Sequence, residues 1–189
     1  LSSFLLSTGF TLMLAERLTL DLRRLASTDG LTGLLNRSAL IEVGSRLVDA
    51  CRARGQACSV LMFDLDNFKT INDSWGHAAG DAVLSHFVEV IRGMGLARDA
   101  LFARYGGEEF VLVLPAIEPV QVGALAERMR AAVAAKPAVF GGRSINITTS
   151  VGGAAATGAN FEHLISAADV ALYRAKHLGR NQVAWSQGA

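Results

Sequence analysis

The sequence has little cysteine, no excess charge of either sign, and no apolar run as long as the roughly 20 residues of a bilayer-spanning helix. Cys51 and Cys58 form no repeated pair and stand near no histidine at metal-ligand spacing. We therefore expect reduced thiols in a cytosolic compartment. The net charge of +1, from 18 basic and 17 acidic residues, offers no broad attraction for a nucleic acid polymer. A net charge near zero is nevertheless compatible with the binding of a small anionic ligand.

What is present indicates one folded domain with an appendage. The 189 residues are 51% hydrophobic and 19% charged, which is typical of a globular protein with a sizeable core. No internal repeat and no long Pro/Gly/Ser linker divides the chain. We place the domain boundary near Ser27 and Thr28, so that residues 1–27 form the appendage and residues 28–189 the domain.

The appendage allows two interpretations, which are compatible. The apolar run from Phe4 to Ala15 is too short to cross a bilayer by itself, but it can be the end of a transmembrane helix. Arginines follow it directly, which would place the rest of the chain on the cytoplasmic side. Alternatively, the segment is an amphipathic stalk helix with a dimer seam. The seam leucines are Leu14, Leu18, Leu22 and Leu25.

The periodicity of the remaining sequence predicts an α+β domain. Helices are predicted over Ala39–Arg54, Phe68–Trp75, Ala79–Met94, Val120–Ala135 and Phe161–Leu178. Strands are predicted over Ser59–Phe63, Ser144–Val151 and Asn181–Trp185, with a β-hairpin in Ala100–Leu114 that turns at Gly106-Gly107. This alternation favours a mostly antiparallel sheet that carries helices.

The first chemically informative cluster is Phe63-Asp64-Leu65-Asp66-Asn67-Phe68-Lys69, where an apolar strand ends in two carboxylates and a helix begins. Carboxylate oxygens are the ligands that magnesium prefers. The backbone N–H groups of residues 67–69 would lie at the helix N-terminus, where they can donate to phosphate oxygens. The alternative is that Asp66 or Asn67 only caps the helix.

The second cluster is the predicted hairpin turn, in which Glu108 and Glu109 follow the twin glycines. Neighbouring residues of a strand point to opposite faces, so the two acids cannot both be ordinary core residues. One could face a cation held by Asp64 while the other reaches a substrate, and the glycines let a ligand approach the backbone closely. The alternative is a surface turn with two solvated acids.

The stretch Gly106-Gly107-Glu108-Glu109-Phe110 resembles the signature of the GGDEF family of diguanylate cyclases. Three further motifs lie in the order found in that family and together extend from Asp29 to Asn181. They are Asp29-Gly30-Leu31-Thr32-Gly33-Leu34-Leu35-Asn36-Arg37, Asp64 to Asp81 with Asn72-Asp73 and Gly76-His77-Ala78-Ala79-Gly80-Asp81, and Ala171-Leu172-Tyr173-Arg174-Ala175-Lys176 followed by Gly179-Arg180-Asn181. Motifs in this number are far more specific than one short match.

The resemblance implies a nucleotide-cyclase or ferredoxin-like, palm-like fold preceded by an N-terminal helix. It implies an enzyme that condenses two GTP into cyclic di-GMP and two pyrophosphates, with Mg²⁺, or Mn²⁺ as an alternative, as the metal. Each subunit would hold one GTP, so catalysis would need a homodimer. The expected location is a cytoplasmic domain of a bacterial inner-membrane protein, anchored by a segment that ends near Ala15.

The resemblance also implies roles for residues at the matching positions. Asp64 and Glu108 would bind the metal through side chains and Leu65 through its carbonyl, and Glu108 or Glu109 would be the catalytic base. The implied substrate-binding residues are Phe68, Lys69, Asn72, His77, Asp81, Gly107, Lys176 and Arg180. Among these, the amide and carboxylate of Asn72 and Asp81 would read guanine, and the basic residues would contact the triphosphate.

Two roles stay open at this point. His77 either touches substrate or fixes the turn between Gly76 and Gly80, and we favour the turn. Arg180 is four residues after Lys176, so a continuing helix would align the two, whereas a helix that ends at Gly179 would leave Arg180 beyond it.

The sequence departs from the family pattern at one site. Many members carry an Arg-x-x-Asp motif for product inhibition, whose two positions here are Ala97 and Ala100. We therefore predict weak or absent feedback at this site. The two competing functions are a catalytically silent GGDEF-like nucleotide-binding module and a different nucleotide cyclase or polymerase-palm enzyme with the same two-carboxylate site.

Overall fold

The chain is represented by a computed structural model, which describes residues 27–186. Within this range the helices are α1 (Arg37–Ala53), α2 (Phe68–Trp75), α3 (His77–Arg92), α4 (Pro119–Ala135) and α5 (Phe161–His177). The strands are β1 (Ala57–Leu65), β2 (Leu101–Arg104), β3 (Glu109–Pro115), β4 (Ala138–Phe140), β5 (Arg143–Ile145), β6 (Thr149–Thr157) and β7 (Val183–Trp185).

The main sheet has five strands in the order β2-β3-β1-β6-β7, with a separate β4-β5 pair. The central strand β1 is antiparallel to β3 and β6, and only β7 runs parallel to its neighbour. The predicted α+β class with a mostly antiparallel sheet is therefore confirmed. In the register between β1 and β3, Asp64 lies opposite Glu109, so the two acidic clusters meet at one edge of the sheet.

Helices cover both faces of the sheet, which is why β1 is apolar at nearly every position. Phe63 packs toward α3, where Phe87 lies 5.8 Å away between ring centroids and also contacts Phe110 of β3 at 4.7 Å. Met62 points the other way, into a cluster that includes Leu172 of α5. Alternate residues of one strand thus serve two cores, because successive side chains point to opposite faces.

Two glycines let α5 and β7 close onto β6. An added Cβ on Gly152 would lie 2.1 Å from the Ala168 carbonyl oxygen and 2.2 Å from the Leu172 backbone nitrogen of α5. On Gly153 it would lie 2.9 Å from the Trp185 ring. The helix therefore rests directly on the strand, and its last turn reaches the sheet edge that carries the acids.

Most predicted boundaries are confirmed within two residues, but the strand predicted over Ser144–Val151 is wrong. The structure has two strands there, since β5 ends at Ile145 and β6 begins at Thr149. Between them the Thr148 carbonyl accepts a hydrogen bond from the Asp66 N–H at 3.0 Å, next to the pair Leu65–Thr149 at which the ladder between β1 and β6 begins. Strand β6 then continues to Thr157 because it pairs with the whole of β1. The pairing of β5 with β4 was not predicted.

The predicted transmembrane segment, stalk helix and leucine seam lie outside the described residues, so these stay predictions, as does the boundary near Ser27. In the part of the chain that the structure describes, no helix combines the length and apolarity needed to cross a membrane. Cys51 and Cys58 are both free and buried.

Candidate active site

Asp64 is a buried carboxylate at the end of β1, with 5% of its surface exposed. The ammonium group of Lys176 on α5 donates to its Oδ2 at 2.6 Å. Burial raises the pKa of Asp64, Lys176 opposes that shift, and the charges of Glu109 and Asp66 add to it, so that the net pKa lies above its ordinary value. The single positive charge of Lys176 therefore does not neutralise the carboxylates that lie near Asp64 at this edge of the sheet.

Glu108 and Glu109 lie beside Asp64 and are half-buried, so the alternative of two solvated acids is wrong. The backbone of Glu108 accepts a hydrogen bond from the Leu65 N–H at 3.3 Å, which ties the turn before β3 to the end of β1. Burial raises the pKa of Glu108, and the charge of Asp64 is the next cause of the shift. The structure therefore brings together the two carboxylates predicted as metal ligands.

The donor set fits a magnesium ion that is completed by substrate. Within residues 27–186, no three His, Cys, Asp or Glu side chains converge as a ready-made metal centre. Magnesium commonly takes only one or two protein carboxylates, with phosphates and water as its other ligands. Asp64 and Glu108 supply two carboxylates whose pKa values are raised first by desolvation and further by the charges of neighbouring acids, and a divalent cation would offset both effects. Leu65, the third predicted ligand, lies directly after Asp64 in β1.

Neither the Asp66 nor the Asn67 side chain makes a capping hydrogen bond to α2, so the interpretation that these side chains only cap the helix is wrong. The N-cap residue Asn67 has left-handed backbone angles and makes no side-chain cap bond. The buried Asp66 carboxylate instead accepts from Ser150 Oγ at 2.6 Å, Thr148 Oγ1 at 2.7 Å and the Asn181 N–H at 3.0 Å. It connects three segments around the site, a role that its position next to a helix start did not reveal.

The residues predicted to read guanine lie on either side of the joint between α2 and α3. An added Cβ on Gly80 would lie 2.0 Å from Asn72 Oδ1, so the Asn72 amide lies directly over that glycine. Asp81 follows Gly80 and is exposed. The joint itself is formed by the backbone of Gly76, with φ of 82°, and the His77 ring beside it is exposed.

The three basic residues predicted to contact phosphate lie in different places. Lys69 is exposed on the first turn of α2, and Lys176 reaches Asp64 from the last turn of α5. Arg180 lies beyond α5, because the helix ends at His177 and the Arg180 N–H turns back to the Ala175 carbonyl at 3.1 Å. Of the two placements left open for Arg180, the one beyond the helix is therefore confirmed.

Arg104 is a residue whose part in the site sequence reasoning missed. Its Nη2 and Nε donate to the Gly107 carbonyl at 2.6 and 3.1 Å, and its Nη1 donates to both carboxylate oxygens of Asp29 at 3.2 Å. Burial raises the pKa of Asp29, but hydrogen bonds from Thr32 and Arg104 outweigh it and leave the net pKa lowered. The ion pair between Arg104 and Asp29 holds the Gly106-Gly107 turn against the motif that begins at Asp29. The only sequence signal for this role is the Asp-x-x-Thr spacing of Asp29 and Thr32, which is typical of a local Asx-type turn.

Comparisons with known proteins agree with this geometry. The family model described as "Diguanylate cyclase, GGDEF domain" matches residues 26–182. Diguanylate cyclase DgcP of Pseudomonas aeruginosa is 43% identical over 164 residues, which are 86% of this chain and 24% of DgcP. The chain spans between 24% and 38% of the length of the first curated relatives that it matches.

Two solved structures are similar over most of their length. The GGDEF domain of DgcB from Caulobacter crescentus, solved with cyclic di-GMP, is 34% identical with a TM-score of 0.82 and covers 86% of this chain and 94% of its own. The active GGEEF domain of a diguanylate cyclase from Vibrio cholerae is 28% identical with a TM-score of 0.75, and the match covers 82% of this chain and 99% of that domain's chain. With its motifs in order on this fold, the chain belongs to the GGDEF family of diguanylate cyclases.

Proposed function

We propose that this chain is an active diguanylate cyclase domain, which condenses two GTP molecules into cyclic di-GMP and releases two pyrophosphates. The observation that carries the proposal is the convergence of Asp64 and Glu108 beside Lys176 at one edge of the sheet. Such a site is suited to phosphoryl transfer, in which positioning and charge stabilisation supply most of the catalysis.

In each half-reaction a ribose 3′-hydroxyl attacks the α-phosphorus of the facing GTP. A bond forms between O3′ and the α-phosphorus, the bond from that phosphorus to pyrophosphate breaks, and Glu108 or Glu109 receives the hydroxyl proton. When bound between Asp64 and Glu108, a magnesium ion supplies charge neutralisation and lowers the pKa of the 3′-hydroxyl. The Gly107 turn lies next to these acids, where a ligand can approach its backbone.

The triphosphate would lie against the basic side chains of Lys69, Lys176 and Arg180. The backbone N–H groups of Phe68 and Lys69 belong to the first turn of α2, where the helix dipole also favours phosphate. These groups offset the charge that accumulates as pyrophosphate leaves.

Guanine would be read at the α2–α3 joint. The Asp81 carboxylate can accept hydrogen bonds from N1–H and the N2 amino group, which guanine presents and adenine does not, and the Asn72 amide can both donate and accept. This chemistry favours GTP over ATP and disfavours a different nucleotide cyclase.

The substitution Gly80→Ala tests the guanine site. Its Cβ would lie 2.0 Å from Asn72 Oδ1, the far end of a flexible side chain, so we expect the amide to move while the fold persists. The KM for GTP should rise about tenfold, because the loss of one hydrogen bond between Asn72 and guanine corresponds to about that change in affinity. In an Asn72→Ala background the same change should add little. An unchanged KM for Gly80→Ala would contradict the placement of Asn72.

The reaction needs two domains, because each binds one GTP and the product joins two nucleotides. Incubation with GTP, with ATP, or with both, in the presence of magnesium and at several protein concentrations, tests the proposal by product mass. We expect cyclic di-GMP from GTP alone, with specific activity that rises with protein concentration as dimers form. No product from GTP at any concentration would refute it.

The silent-module alternative is disfavoured by the residues present. Every matched metal and phosphate position holds a residue of suitable chemistry, including Asp64, Glu108, Lys176 and Arg180. The second acid of the signature is no obstacle, since the Vibrio cholerae relative described as active has the same GGEEF spelling.

We expect feedback by cyclic di-GMP to be weak. Ala97 and Ala100 occupy the turn that leads into β2, with the Ala100 N–H bonded to the Ala97 carbonyl at 3.0 Å, and alanines offer a dinucleotide no charged group. Introducing Ala97→Arg with Ala100→Asp should create inhibition by added product in a steady-state assay. Tight product binding by the unaltered chain that is lost on Arg98→Ala would contradict this.

A further inference from the structure

We propose that Asp66 and Arg130 are positioning residues that hold Arg180 for the triphosphate by clamping the residue after it, Asn181. The inference rests on the proposed function, because it takes Arg180 as a phosphate-binding group. Neither clamping residue touches substrate in this proposal. In the loop between α5 and β7, Asp66 holds the backbone of Asn181 and Arg130 holds its side chain.

The loop needs an external restraint because its conformation is costly. Arg180 and Asn181 have φ angles of 64° and 45°, two consecutive residues other than glycine in the left-handed region. Such a conformation costs on the order of 1 kcal/mol or more for each residue, so it persists only where the surroundings fix it. Relaxation of the pair would redirect the Arg180 side chain.

Asp66 provides the first restraint. Its Oδ2 accepts the Asn181 backbone N–H at 3.0 Å, and hydroxyl groups of Thr148 and Ser150 fix the carboxylate at 2.7 and 2.6 Å. Asp66 is only 6% exposed, so water competes little for these bonds. Because Asp66 follows Asp64 by two residues, this contact also fixes the loop relative to the carboxylate predicted to lie at the reacting phosphate.

Arg130 of α4 provides the second restraint, from the other side. Its Nη1 donates to Asn181 Oδ1 at 2.8 Å, while its Nε is held by Glu127 Oε2 at 2.8 Å. The Arg130 side chain is 23% exposed, whereas Asn181 and the hydrogen bond between the two residues lie at the surface. Asn181 is therefore held by its backbone from one element and by its side chain from another.

The test compares Arg130→Ala with Arg128→Ala, an exposed arginine two residues away on the same helix. Affinities are measured by calorimetry with magnesium for GMP and for a GTP analogue whose α–β bridge cannot be cleaved. We expect Arg130→Ala to weaken binding of the analogue about tenfold and to leave GMP unchanged, and Arg128→Ala to change neither. Asn181→Gly, which keeps the left-handed backbone but removes the acceptor, should match Arg130→Ala.

A double-mutant cycle separates positioning from simple loss of structure. In an Arg180→Ala background, Arg130→Ala should cause little further loss of analogue affinity, because its effect passes through Arg180. Additive losses, or an Arg130→Ala variant that equals Arg128→Ala, would overturn the clamp while the unaltered chain still forms cyclic di-GMP. If the unaltered chain binds the analogue no better than GMP, the phosphate role of Arg180 fails, and the clamp fails with it.

Discussion

The substitution Glu108→Ala is expected to reduce cyclic di-GMP synthesis by about three orders of magnitude or more. It removes one of the two carboxylates that converge on the predicted metal position, and loss of metal-assisted charge stabilisation costs several kcal/mol of transition-state energy. The measurement is the rate of product formation from GTP with magnesium, followed by chromatography. A variant that retains substantial activity would overturn the metal assignment.

The matched control is Glu89→Ala, which removes an exposed glutamate from α3 and should leave the rate unchanged. A second readout tests whether Glu108→Ala still folds. Because burial and Asp64 raise the pKa of Glu108, its charged form is less favourable in the folded protein than in the unfolded chain. Without divalent ions, the variant should therefore melt no lower than the unaltered chain. A large fall in melting temperature would mean that the lost activity reflects lost structure.

The substitution Gly152→Ala is expected to destabilise the fold by about 3 kcal/mol, which corresponds to a fall of roughly 10 °C in Tm for a domain of this size. The added Cβ would meet backbone atoms of Ala168 and Leu172 at 2.1 and 2.2 Å, and neither can rotate away. Helix α5 must shift as a body, which would also move Lys176 from Asp64. Thermal unfolding followed by circular dichroism measures the effect.

The control is Gly30→Ala, since a Cβ at Gly30 meets nothing within 4 Å. We expect its Tm to stay within a few degrees of the unaltered value. The Tm of Gly153→Ala should lie between those of Gly152→Ala and Gly30→Ala, because the added Cβ would meet the Trp185 ring, a side chain that can move. Equal Tm values for Gly152→Ala and Gly30→Ala would show that α5 does not rest on β6 as closely as described.

Local patterns predicted most of the secondary structure, because period and turn chemistry are properties of neighbouring residues. The helix over Phe68–Trp75 was predicted with its observed bounds. The strand over Ser144–Val151 failed because its two ends pair with different strands, Ile145 with Ala138 of β4 and Thr149 with Leu65 of β1. A break imposed by a distant partner leaves no periodic signal.

The sequence by itself determined the family, the α+β class and the identity of the acids and bases that carry the proposed chemistry, since ordered motifs such as Gly106-Gly107-Glu108-Glu109-Phe110 are readable without a fold. Only the tertiary structure decided what Asp66, Arg104 and Arg130 do. Asn181 is 115 residues from Asp66 and 51 residues from Arg130 along the chain. Asp29 is 75 residues from Arg104. Such contacts depend on strand order and helix packing. These determine which distant residues come together in space, and the separation of two residues along the chain does not.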